Sequence, residues 1–101
     1  MSIHRHNARR DASEPAIVEY LQARGALVER VSARALPDLL VGWCGRWILL
    51  EVKTGDAGLK PSQADFHSRA LAKGLPVYVV HNIDRVGEML DRIVRLTRGR
   101  D

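Results

Sequence analysis

The apolar positions first fall in a helical rhythm. Ile17, Val18 and Leu21 lie three, four and seven residues after Glu14, the spacing that lines one face of a helix. Asp11 or Ser13 can cap this helix, Glu14 and Pro15 suit its first turn, and Gly25 stops it after about Arg24. Three runs of strand length follow: Ala26–Val31, Asp38–Trp43 and Arg46–Val52. Ser32–Pro37 is a loop between the first two, and Cys44-Gly45 joins the last two. Those last two are continuously apolar, so they are expected to be central strands covered on both faces. After a glycine-containing loop, Thr54–Pro61, Ser62 with Asp65 reads as the capped start of a second helix that runs to about Lys73. Gly74 ends it, and Pro76 prevents its resumption. Val77–Val80 is a fourth strand. The last helix spans about Ile83 to Thr97, with Val86, Leu90, Ile93 and Thr97 on one side and Glu88, Arg92 and Arg95 on the other. The order αβββαβα predicts an α/β fold, a mixed sheet with helices on its faces. Residues 11–101 make up this domain, and residues 1–10 are a basic arm (Arg5, Arg9 and Arg10, with His4 and His6) expected to be loose.

Composition narrows the classes. A chain of 101 residues, 46% hydrophobic, supports one core and no second domain. No run approaches the roughly 18 apolar residues of a membrane span. The polar start and the single cysteine, Cys44, predict a cytoplasmic protein without internal disulfides. The net charge is +4 and the sixteen cations are thirteen arginines and three lysines. Either genome composition accounts for that bias, or the planar arginine forks serve an anionic partner such as phosphate.

The chemistry concentrates around one hairpin. Glu51 and Lys53 are two apart at the end of an apolar strand, so they share a face at the sheet rim. If Cys44-Gly45 is centred in the turn, paired positions sum to 89 and Asp38 lies opposite Glu51. Two carboxylates so close repel unless a cation sits between them. The trio reads either as a cross-strand ion-pair cluster or as a site for a hard divalent metal such as Mg²⁺. Glu14 faces the core side of the first helix, where a carboxylate needs a partner or simply favours the helix dipole. Gln63, followed by Phe66, His67 and Ala70 at helical spacing, also faces inward. His67 reads as a packing residue beside Phe66, and His81 borders a strand end. Trp43 and Trp47 flank the turn and read as packing or dimer-contact residues before base-stacking ones. Cys44, with no base beside it in sequence, is not expected to be a nucleophile.

Pro37-Asp38, twelve intervening residues and Glu51-Val52-Lys53 resemble the PD-(D/E)XK nuclease signature. With Pro37-Asp38-Leu39-Leu40-Val41-Gly42, Gly45-Arg46 and Leu59-Lys60-Pro61-Ser62-Gln63, the chain is similar to the VRR-Nuc branch, in particular its small stand-alone phage and bacterial members. The likeness covers roughly residues 13–90. It implies a single restriction-endonuclease-like domain and a metal-dependent endonuclease acting on DNA. It implies that Asp38, Glu51 and the Val52 carbonyl bind Mg²⁺ or Mn²⁺, and that Lys53 activates water and stabilises phosphate charge. Glu14 would match the first-helix acid and Gln63 the polar residue opening the second helix. It further implies similarity to Holliday-junction resolvases and a homodimer facing branched DNA, with no organic cofactor and no membrane. Arg9, Arg10, Lys60, Arg92 and Arg95 are the expected phosphate contacts, although the arginine face of the last helix also reads as an ordinary solvated face. The segment Arg34-Ala35-Leu36 lacks the glycine the family often carries there. The rival readings are a non-catalytic nucleic-acid-binding module on the same scaffold, and an interaction protein whose charge is incidental.

Overall fold

The computed structural model describes residues 13–53 and 58–99. The arm at residues 1–10, including Arg9 and Arg10, and the alternative cap Asp11 therefore lie outside the described residues. Helix α1 is Glu14–Ala23, followed by β1 Leu27–Arg30, β2 Leu39–Trp43 and β3 Arg46–Val52. Helix α2 is Pro61–Ala72, β4 is Val77–Val80 and α3 is Ile83–Arg98. The four strands lie in chain order, β1-β2-β3-β4. The first three pair antiparallel and β4 adds parallel to β3, as expected when a helix makes the crossover. This is the mixed α/β sheet expected from the sequence.

The hairpin register is the one the turn arithmetic requires. Trp43 pairs with Arg46 and Leu39 with Leu50. Cys44 (φ 53°) and Gly45 (φ 72°) both take positive φ, the signature of a type I′ turn, whose twist suits a two-residue hairpin. Beyond the strand ends, the Val31 amide donates to the Asp38 carbonyl at 2.7 Å, so β2 is held to β1 up to the first acid of the motif.

One sheet face carries the core. Val28, Leu39, Val41, Ile48, Leu50 and Val52 pack against Ile17, Val18 and Leu21 of α1 and Val86, Leu90 and Ile93 of α3. Both helices present the apolar side read from their spacing. Trp43 belongs to this face, and its indole N–H donates to the Leu90 carbonyl at 3.0 Å. The opposite face carries α2, which lies against β4. The expectation that β2 and β3 are covered on both faces therefore holds only in part. Leu40 and Leu49 are half-buried, and Trp47 is 58% exposed rather than packed, because no described helix covers this face at the hairpin end.

Two local details depart from the pattern. The N-cap of α2 is Lys60 rather than Ser62, with Pro61 in the first turn. Proline loses no needed hydrogen bond there, and the Gln63 side chain turns back to accept from the Lys60 amide at 2.9 Å. Where the family often has glycine, Ala35 sits at φ 72°, a left-handed conformation that costs an L-residue on the order of 1 kcal/mol. Ala35→Gly is expected to stabilise the fold by roughly 0.5–1 kcal/mol, since the relief exceeds the extra chain entropy that glycine brings to the unfolded state. Thermal denaturation should show a rise of a few degrees, and an unchanged or lower midpoint would contradict the strain argument.

Candidate active site

The hairpin and α2 bring four of the expected residues together. Along β3 and into the residue that follows it, positions 47, 49, 51 and 53 alternate onto the sheet face that carries α2, and Asp38 sits opposite Glu51 by register. The Asp38 carboxylate accepts from the Val52 amide at 2.8 Å, which pins it to the end of β3. Glu51 is only 1% exposed. Its Oε2 accepts from Gln63 Nε2 at 3.1 Å and lies 3.6 Å from Lys53 Nζ. Lys53 Nζ in turn donates to Gln63 Oε1 at 3.0 Å. Gln63 thus spans the carboxylate and the ammonium, and its own bond to the Lys60 backbone fixes it in the first turn of α2.

The electrostatics follow from this crowding. Burial pushes the Glu51 carboxyl up to about 7, the nearby Asp38 charge and a hydrogen bond shared with Asp38 act in the same direction, and Lys53 pulls partly against them. Among the described residues, Glu51 Oε1 is buried without an N–H or hydroxyl donor. A carboxylate oxygen in that condition beside a second carboxylate is the donor chemistry a hard divalent cation satisfies. Among the described residues, no cluster of three or more His, Cys, Asp or Glu side chains forms a metal site, so the two acids would need backbone oxygen to complete a protein ligand set.

The other expected residues are placed differently. Glu14 is 2% exposed and faces inward, as its spacing predicts. Its Oε2 is joined to Arg30 Nε at 3.0 Å, on the core face of the sheet and one strand over from Asp38, whereas Asp38 and Glu51 face α2. Sequence reading did not find Arg30, although β1 alternation sets it on the same face as Val28 and thus toward α1. Lys60 is exposed beside Gln63, at the rim of the cluster. Arg92 and Arg95 are exposed on the outer side of α3, which covers the opposite face from the acids. His67 stands edge-on to Phe66, with ring centroids 6.4 Å apart. Its imidazole is held below the usual range by burial and by the charge of Lys53, and its Nε2 is buried without a partner. Cys44 is exposed in the turn. Among the described residues, no helix is long and apolar enough to cross a membrane.

Comparison with solved structures finds a chain described as a VRR_NUC domain. It is 28% identical, with a TM-score of 0.68, over 80% of this chain and 97% of that one. No family model matches the sequence, and no curated protein does.

Proposed function

The chain has the VRR-Nuc fold, a nuclease-like fold, and on that premise we propose that it is a divalent-metal-dependent endonuclease hydrolysing phosphodiester bonds in DNA, with preference for branched structures. One observation carries this reading: the buried Glu51 carboxyl, facing Asp38, with an oxygen that no N–H or hydroxyl donor among the described residues satisfies. A purely structural ion-pair cluster would be expected to pair that oxygen.

Asp38, Glu51 and the Val52 carbonyl are the groups that would hold Mg²⁺ or Mn²⁺. When bound, such an ion supplies a more acidic water and polarises a phosphoryl oxygen. Lys53 supplies a fixed positive charge where negative charge develops on the phosphate. Gln63 keeps Lys53 and Glu51 in register with each other. Glu14 acts at one remove, by holding the half-exposed Arg30 side chain at the end of β1. Lys60 lies where it can take a flanking phosphate, and Arg92 and Arg95 would serve a second stretch of backbone on the far side of the molecule. The branched-substrate preference and a homodimer with two active sites rest on the family likeness.

The test is cleavage of a labelled four-way junction and its matched duplex, with Mg²⁺, with Mn²⁺ and with EDTA. Metal-dependent cutting that favours the junction is the expected result. Equal cutting of both substrates would retain the nuclease and remove the structural preference. Salt-sensitive binding without cutting under either metal would establish the non-catalytic module instead.

A further inference from the structure

Trp47 opens the row of β3 residues that leads to the acid cluster. Positions 47 and 51 share a face and stand four residues apart, roughly 13 Å at about 3.3 Å per residue, the axial length of about four stacked nucleotides. Nothing described shields the indole, which is 58% exposed, and its neighbour Leu27 is 55% exposed. Gly42, paired with Trp47 across the hairpin, forms the floor beneath the ring. A Cβ built on Gly42 would stand 3.3 Å and 3.6 Å from Cζ3 and Cε3 of Trp47 and 3.4 Å from the Cβ of Leu27. The ring is therefore laid against glycine backbone on one side and open on the other. The depression around it, about 430 Å³, is lined by Leu27, Gly42, Cys44, Arg46 and Trp47 among others.

We infer that Trp47 is a stacking platform for an unpaired nucleobase of the DNA strand that enters the site. This rests on the nuclease reading and supplies it with a source of structural preference. A planar ring held on one side presents its free face without losing rotamer freedom on binding. In an intact duplex the base faces are stacked on one another, so only an overhang, a branch point or a single strand can offer one. The platform is continuous with the catalytic row on the same strand, Arg46 stands beside it, and the chain carries a net charge of +4. A second copy of the chain fits less well. Two exposed side chains expose a few hundred Å² at most, against the ~800 Å² per partner of a standard stable interface.

The experiment measures binding of full-length protein in EDTA to two fluorescent probes, a duplex with a single-stranded overhang and the same duplex made blunt. Trp47→Ala is expected to weaken overhang binding by about 5- to 100-fold and to change blunt-duplex binding by less than twofold. Trp47→Phe, which keeps an aromatic face, is expected to recover most of the loss. Equal losses on both probes, or no loss on either, would overturn the assignment. So would Trp47→Ala converting a dimer to a monomer in sedimentation, because the indole would then be an interface residue. Wild-type cleavage with Mg²⁺ or Mn²⁺, scored in parallel, reports the nuclease reading separately, since the binding difference needs no turnover.

Discussion

Glu51→Gln is expected to abolish metal-dependent cleavage and, in the same molecule, to raise the thermal stability of the metal-free protein at pH 8. The two effects have one cause. In the folded chain Glu51 keeps its proton up to about pH 7, against an ordinary carboxylate value of 4.5. Below the ordinary value both the folded and unfolded chains are protonated, and nothing is lost. As pH rises from about 5 through 7, the unfolded chain releases the proton first, and folding becomes progressively less favourable. By pH 8 the charged Glu51 has cost the fold on the order of 3 kcal/mol. Glutamine keeps the shape and an oxygen to accept from Gln63, and its amide hydrogens can take the place of the proton shared with Asp38. Removing the charge should raise the melting temperature at pH 8 by roughly 12–24 °C for a domain of this size, and change it little at pH 4.5. Added Mg²⁺ should raise the midpoint of the wild type at pH 8 and leave the variant nearly unmoved. Melting curves at the two pH values, with and without the metal, check each part. An equal shift at both pH values would mean that the carboxylate charge is not what strains the site.

Lys53→Met should lower cleavage by about 10² to 10³-fold, the size of effect seen when one fixed donor to developing charge is removed. Lys53 is enclosed, with its side chain 13% exposed, and held at Nζ by Gln63 and Glu51. Methionine fills a similar volume, so the loss should be one of rate more than of folding. Affinity for uncleaved DNA should fall only a few-fold, because one partly enclosed cation contributes little to a backbone footprint shared among many. Arginine at this position should recover little, since a planar fork cannot take the place of a point charge in this narrow setting. Single-turnover rates at saturating protein, together with binding in EDTA, separate the two effects. A variant that binds as before and cuts as before would remove Lys53 from the chemistry.

Much of this site was legible because its parts are local in register. A two-residue turn at Cys44-Gly45 fixes every pairing in the hairpin, so counting alone sets Asp38 opposite Glu51, and strand alternation adds Lys53 to the same face. Helical spacing likewise turns Gln63 inward one loop later. Ser62 misled because its side chain suits a cap, whereas the helix starts two residues earlier, at Pro61, and Gln63 reaches back to Lys60.

By itself, the sequence determined the element order, the hairpin register, the core faces of α1 and α3, and the juxtaposition of Asp38, Glu51, Lys53 and Gln63. All of these depend on periodicity and on contacts close in the chain. Only the tertiary structure decided the rest. It joined Glu14 to Arg30, set Arg92 and Arg95 on the far side of the sheet, and left Trp47 open above Gly42. Each of these depends on where a helix settles across the sheet, and that position is chosen by the packing of the whole core, which no local spacing encodes.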